Sequence, residues 1–336
     1  MTVKDAPLVI DAVPGWATAP RVLGRFGAVS ALALGGAGVA SHWGDVAHEE
    51  GIATLRAAVA AGITLLDMAP KYGNLRAEQM VGEAFDGALP PGVRVLTKVL
   101  FDAGERDHCR ALEESLAASL ARMRLPRVEF LLLHNQLVPD EYADIWPGLA
   151  WSTYSGKVRP LLVDLVSAGR IAGWGMSGIG ASSQILHALA DDPVPQLIEA
   201  VANPLDLLGN LHTFDEPPRP RAIIQRAHGS GCAVLGVRVA AAGALTDALD
   251  RTLPDTHPVA RDYQRACGFR ELAARVAMPP AVLALRYALG MPGVSSVVLG
   301  VKDRRELDES LEAAQRGPLD APLRADIDRV AAGDRA

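Results

Sequence analysis

The sequence predicts a (β/α)8 barrel, the TIM barrel of the α/β class, on three observations. Eight short apolar runs rich in β-branched residues recur along the chain, and segments with helical spacing of apolar residues lie between them. Most successive runs begin about 25 to 45 residues apart, which suits a right-handed βαβ crossover. No Pro-, Ser- or charge-rich linker interrupts the series, so residues 1–336 read as one barrel domain.

The elements follow in order. Ahead of the first run, Val22 to Ser30 places alternating apolar residues on either side of Gly24 and Gly27, a pattern for a small N-terminal β-hairpin that closes the bottom of a barrel. The eight candidate strands are Ala31 to Gly35, Thr64 to Asp67, Val93 to Lys98, Val128 to His134, Ile171 to Ser177, Gln196 to Ala202, Ala233 to Arg238, and Ser296 to Gly300. Ile52, Leu55 and Val59, and then Leu112, Leu116, Leu120 and Met123, trace apolar stripes of helices that cover a sheet. Leu319, Leu323, Ile327 and Val330 suit an extra C-terminal helix packed outside. Asn135 to about Gly156 and Val239 to about Pro258 are too long for plain connections, and long loops at a barrel's C-terminal face commonly carry function. The competing architecture, a doubly wound open sheet, needs a glycine-rich turn opening a helix after its first strand. Gly36-Ala37-Gly38-Val39-Ala40-Ser41 lacks the third glycine and runs into His42-Trp43.

Composition limits the function classes. Apolar residues make up 49% and charged residues 21%, ample for a large core, and the net charge of -6 weakly opposes a nucleic-acid partner. The first twenty residues hold Lys4, Asp5, Asp11 and three prolines with no continuous apolar core, unlike a secretory signal, and no apolar run reaches the length of a membrane-spanning helix. Cys109, Cys232 and Cys267 are far apart and odd in number, which suggests neither a disulfide framework nor a zinc site. The expected compartment is the cytoplasm, without a membrane partner.

Chemistry concentrates at the ends of the early strands. Asp67, Lys98 and His134 end the second, third and fourth runs, and Tyr72 follows Asp67 by five residues. In a barrel these positions converge on one mouth. Lys98 lies between Val95-Leu96 and Val99-Leu100, so its ammonium needs a buried partner, for which Asp67 is the candidate. A tyrosine titrates near pH 10 and an adjacent cation favours its phenolate, so Lys98 is expected to lower the Tyr72 pKa. His134 can position a carbonyl oxygen. The set moves a proton onto or off an oxygen; it holds no acyl-transfer nucleophile and no metal-ligand cluster, and its electrons must come from a cofactor.

These residues resemble the aldo-keto reductase superfamily. The resemblance runs through Leu23-Gly24-Arg25-Phe26-Gly27, Gly62 to Gly73 with Glu78 and Gly82, Leu96-Thr97-Lys98, Leu131 to His134, Gly169-Arg170-Ile171 with Gly175-Met176-Ser177, and Asn203-Pro204-Leu205. It implies a (β/α)8 barrel that binds NAD(H) or NADP(H) across its mouth. It implies that Tyr72 is the acid in reduction or base in oxidation, that Asp67 and Lys98 tune it, and that His134 orients the carbonyl. Ser177 keeps the serine that binds the nicotinamide carboxamide, but Gly178 replaces the asparagine that often follows and Glu199 replaces the usual glutamine. The position of the aromatic residue that stacks on nicotinamide falls in Val237-Arg238. The segment from Gly300 through Lys302, Arg304 and Arg305 opens the helix that serves the adenosine phosphates in the family. The lysine, arginine and asparagine that grip a 2′-phosphate in NADPH-specific members become Gly300, Glu306 and Ser310, and Glu306 would repel that phosphate.

Gly236 to Leu245 looks closest to the branch of aldose 1-dehydrogenases and pyridoxal dehydrogenases, which implies a carbonyl or sugar hemiacetal substrate. Trp43, Asn135 and Trp146, with Trp151 and Tyr154, are pocket candidates, because aromatic faces stack on sugar and pyridine rings. Two other readings stand beside the enzyme: a dinucleotide-binding, redox-sensing subunit with little turnover, and a Schiff-base lyase using Lys98, which the neighbouring Asp67 opposes because a nucleophilic lysine must be neutral. The oligomeric state is open.

Overall fold

A computed structural model describes residues 15–143, 147–209, 211 and 216–333; the pocket candidate Trp146 lies outside them. Eight parallel strands close into a barrel: β1 (Leu32–Gly35), β2 (Leu65–Asp67), β3 (Arg94–Val99), β4 (Phe130–Leu133), β5 (Gly173–Ser177), β6 (Leu197–Val201), β7 (Ala233–Val237) and β8 (Ser296–Leu299). Each strand pairs with the next in sequence, and β8 returns to β1 through Val297 opposite Leu32, Val298 opposite Ala33 and Leu299 opposite Leu34. Every one of the eight apolar runs forms a strand, with ends shifted by no more than two residues.

The period of two along each strand decides which side chains enter the barrel. Ala33, Leu65, Leu96, Phe130, Leu132, Leu197, Ala233, Leu235 and Val298 form one buried cluster inside it. Leu34, Leu66, Val95, Val99, Leu131, Leu133, Ile198, Val234 and Val297 belong to a second cluster, packed between the sheet and its helices. Asp67, Lys98, His134, Glu199, Val237 and Gly300 each lie two residues beyond a member of the inner set on the same strand, so the same parity directs all six to the interior at the C-terminal end.

The helices include α1 (His48–Ala60), α2 (Arg76–Phe85), α3 (His108–Met123), α4 (Arg159–Ser167), α5 (Ser182–Ala188), α6 (Pro220–Gly229), α7 (Pro280–Leu289) and α8 (Arg304–Gln315). The final helix spans Ala321–Ala331 and buries Ile327, so Leu319 precedes it. Leu112, Leu116 and Met123 are buried on α3 as the stripe requires. The long fourth connection is partly ordered: Leu137–Val138 pairs in parallel with Leu149–Ala150, and a helical turn at Trp151–Thr153 and a π-helical turn at Tyr154–Val158 run directly into α4. The interval before β8 holds two further helices, Pro258–Arg265 and Cys267–Arg275, ahead of α7.

The bottom of the barrel is closed by the antiparallel pair Pro20–Val22 and Ala28–Ser30. Phe26, between them, meets Phe130 edge-on with ring centroids 4.8 Å apart. A Cβ at Gly173 would fall 2.5 Å from Phe26 Cζ, so this strand position must be glycine for the plug to seat. Beneath the opposite mouth, buried Glu78 on α2 accepts from Thr97 Oγ1 on β3 at 2.5 Å and from Arg122 Nε on α3 at 2.7 Å. That bridge fixes β3 one residue before Lys98.

Candidate active site

Lys98 is the centre of the mouth. Its side chain is 0% exposed, and Nζ donates to Asp67 Oδ1 across from β2, lies 2.8 Å from Glu199 Oε1 on β6, and is 3.3 Å from the Met68 carbonyl oxygen. The contact with Glu199 is a close charge pairing rather than an aligned hydrogen bond. Asp67 and Glu199 are 2% and 3% exposed, so one buried ammonium faces two buried carboxylates. Ser177 Oγ on β5 donates to Glu199 Oε2 at 3.2 Å.

Tyr72 reaches this cluster from the loop after β2. The Tyr72 amide donates to the Ala69 carbonyl at 3.1 Å, and Gly73 follows with φ of 58°. A Cβ at Gly73 would lie 2.0 Å from the Ala40 carbonyl oxygen, so only glycine lets the loop close against the first βα turn. The Lys98 ammonium then sits 4.9 Å from the centre of the Tyr72 ring, and the His134 ring meets that ring edge-on at 5.8 Å. The structure thus brings Asp67, Tyr72, Lys98 and His134 together, with Ser177 and Glu199 beside them.

The electrostatics differ from the expectation in one respect. Burial opposes the charge on Lys98, but Asp67 and then Glu199 outweigh it and hold its pKa well above the ordinary lysine value. Burial, followed by the negative charge of Glu199, pushes Asp67 up to about 7 despite the neighbouring ammonium. Tyr72 is raised, not lowered: burial comes first, and Asp67 and Glu199 add to it while Lys98 only partly compensates. A cation shared between two carboxylates no longer acts on the phenol as a net positive charge. His134 is pushed down to about 3 by burial and then by Lys98, so its imidazole is neutral near pH 7. Among the described residues its Nδ1 is buried without a hydrogen-bond partner.

Around the mouth, Trp43 packs against Arg238, whose guanidinium carbon lies 4.7 Å from the indole ring centre. Arg238 adopts φ of 59°, and its carbonyl accepts from Asn203 Nδ2 at 3.0 Å; burial lowers its pKa to about 10. His42, not singled out from sequence, stands 6.3 Å from the Tyr72 ring and edge-on to Trp43. Its only signal was its place in the first βα loop. Asn135 does not present its amide to the mouth. Its Oδ1 accepts from the Phe101 amide at 2.9 Å and its Nδ2 donates to the Phe101 carbonyl at 2.8 Å, which ties the β3 and β4 loops together. Tyr154 is wholly buried and Trp151 stacks on His187 at 4.0 Å, so both pack the fourth connection.

The fit of a nicotinamide dinucleotide rests on the donor set. At the ends of β5 and β6, Ser177 offers a hydroxyl and Glu199 a carboxylate, a donor and an acceptor for a carboxamide. Gly178 brings the backbone close, since a Cβ there would fall 2.5 Å from the Glu199 carbonyl oxygen. Beyond β8, Gly300 is open, with Trp43 Nε1 the nearest neighbour to a Cβ at 4.0 Å. Past Gly300 the positive charges are already paired. Lys302 Nζ lies 3.2 Å from Asp250 Oδ2 and 3.3 Å from Glu306 Oε1, and Arg304 makes a forked pair with Glu50 at 2.9 and 3.0 Å. The backbone amides at this helix start are taken as well: Lys302 N donates to Glu306, Arg304 N to Glu50, and Glu306 N to Asp303.

Comparison with known proteins gives a consistent result. The family model described as the aldo/keto reductase family matches residues 31–332. The chain is 25% identical to the L-galactose dehydrogenase of Arabidopsis thaliana over 87% of each chain. It is 27% identical to a putative voltage-gated potassium channel subunit beta of Schizosaccharomyces pombe over 88% of each. Its fold superposes on the holo form of the aldo-keto reductase AKR11C1 from Bacillus halodurans with a TM-score of 0.70 and 21% identity, covering 93% of this chain and 95% of that one.

The depressed His134 pKa sets an acid dependence of stability. Between its folded value of about 3 and the unfolded value near 6.5, the unfolded chain binds a proton that the native one does not. The contribution of His134 is therefore complete above about pH 6.5 and is lost as the pH falls toward 3. Denaturant unfolding at a series of pH values from 4 to 7 should show a shallower loss of stability on acidification for His134→Gln than for the native protein. Parallel slopes would contradict the assignment.

Proposed function

The chain belongs to the aldo/keto reductase family and is an NAD(P)-dependent oxidoreductase, and from that premise we propose that Tyr72 is its proton donor and acceptor on a carbonyl or hemiacetal substrate. The observation that carries the reading is the placement of the Tyr72 ring 4.9 Å from the Lys98 ammonium and 5.8 Å from the His134 ring at the C-terminal mouth. A bound nicotinamide dinucleotide supplies or takes up the hydride.

In reduction, protonated Tyr72 gives its phenolic proton to the substrate oxygen, and neutral His134 donates a ring N–H to the same atom and fixes its position. Lys98 then stands beside the phenolate that forms. Ser177 and Glu199 hold the carboxamide, and Trp43 with Arg238 forms one wall of the pocket. In oxidation Tyr72 takes the proton from the substrate hydroxyl or hemiacetal, a role that its raised pKa favours less at neutral pH than the donor role. Similarity to a sugar dehydrogenase supports an aldose-type hemiacetal as one substrate class, giving a lactone on oxidation. The expected class remains a small carbonyl, sugar or pyridoxal-type molecule.

The charge distribution beyond β8 supports NAD(H) as the preferred form. A 2′-phosphate placed near Lys302 and Arg304 would have to displace Asp250, Glu306 and Glu50 from them. Fluorescence titration of the native protein should give a Kd for NADH at least about tenfold below that for NADPH, a difference of about 1.4 kcal/mol. Tighter binding of NADPH would sink this preference.

Removal of the phenol tests the chemistry separately. Tyr72→Phe should retain dinucleotide affinity and lose about 100-fold or more in kcat across a panel of aldoses and aldehydes. Full turnover in Tyr72→Phe would exclude the assigned role. Tight binding with negligible turnover in the native protein would instead favour a redox-sensing subunit.

A further inference from the structure

Asp67, Lys98 and Glu199 are all buried, and if each is ionised the cluster holds one ammonium and two carboxylates, a net charge of -1 in the barrel interior. An uncompensated buried charge is costly, and it is removed most simply by one proton on the carboxylate pair. Among the described residues Lys98 is the cation that acts on Asp67; exposed Lys71 acts on His134, and Arg238 interacts with Tyr72. From β5 the cluster meets the neutral Ser177 hydroxyl, and from the loop after β2 it meets the protonated phenol of Tyr72. From β4 comes His134, which is neutral, and β7 lies opposite with apolar Leu235 and Val237. Arg238 follows Val237 but sits farther out, against Trp43. The same carboxylate that faces Lys98 through Oε1 accepts from Ser177 through Oε2, so Glu199 joins the charge cluster to the candidate carboxamide site.

We propose that Glu199 is a positioning residue that makes Asp67 carry one exchangeable proton, released to solvent when a cationic, oxidised nicotinamide binds. This rests on the dinucleotide reading above. The oxidised ring brings one positive charge to the face lined by Ser177 and Glu199, and with it both carboxylates can be ionised. The reduced ring is neutral and leaves the proton in place. The balance is one proton from Asp67 to water for each oxidised dinucleotide bound, with no change in redox state. A raised Asp67 pKa, whose second cause after burial is Glu199, accords with a proton held there. A glutamine at 199 could still contact Ser177 and a carboxamide but would leave Asp67 and Lys98 as a neutral pair with nothing to release.

Isothermal titration calorimetry of the full chain at about pH 6.5, with NAD+ and with NADH, in two buffers of different ionisation enthalpy, reads the proton directly. The expected result is release of about half a proton or more per NAD+ and close to none per NADH. Glu199→Gln should bind NAD+ with that release abolished. Binding of NAD+ by the native protein without proton release overturns the proposal, as does a release that persists in Glu199→Gln. Failure of both dinucleotides to bind would overturn the reading of the site itself, a different outcome from binding without release.

Discussion

An ammonium inside a barrel is the constraint on which the rest of the site depends. Lys98 is completely buried. A charge in that position persists only with partners of opposite sign and good geometry. Asp67 supplies one from the adjoining strand and Glu199 a second from across the barrel. Their presence keeps Lys98 charged. It also cancels much of the field that Lys98 would otherwise exert on Tyr72. With burial, the result is a phenol that keeps its proton, as the proposed donor role requires.

The barrel makes this cluster available through strand parity. Alternate residues of eight parallel strands enter one interior, with apolar side chains at its closed end and functional groups at its mouth. The hairpin and Phe26 seal one end, and the buried charge cluster lies at the other. Outside the barrel, Glu78 ties β3 to α2 and α3 and stabilises the strand that carries Lys98. A helix-facing network thus helps to position an interior charge.

Much of this was legible in the sequence because it depends on local pattern. The eight strands showed as β-branched runs at crossover spacing, and Asp67, Lys98 and His134 stood at strand ends, where barrel geometry forces convergence, with Tyr72 in the loop just beyond Asp67. The long-range terms were less legible. Glu199 was visible as a departure at a cofactor position, but its contact with Lys98 joins β6 to β3 and has no local signature. Burial first, and then the charges of Asp67 and Glu199, reverse the expected direction of the Tyr72 shift. Asn135 followed His134 and so looked like a pocket residue, whereas its amide is spent on the Phe101 backbone. Trp151 and Tyr154 lay in an apparent loop that in fact leads into α4 as helical turns. The pairing of Lys302 and Arg304 with Asp250, Glu306 and Glu50 likewise depends on residues distant in the chain, and it turns an apparent phosphate site into one already supplied with anions.

Burial, together with the two carboxylates that share Lys98, leaves Tyr72 a protonated phenol. Ultraviolet difference titration measures this directly, with the spectrum of Tyr72→Phe subtracted from that of the native protein at each pH to isolate the one phenolate. The account predicts no Tyr72 phenolate signal below about pH 10, the ordinary tyrosine value. A phenolate that appears between about pH 7 and 9 would show that Lys98 acts on Tyr72 as an unshared cation, and would contradict the account.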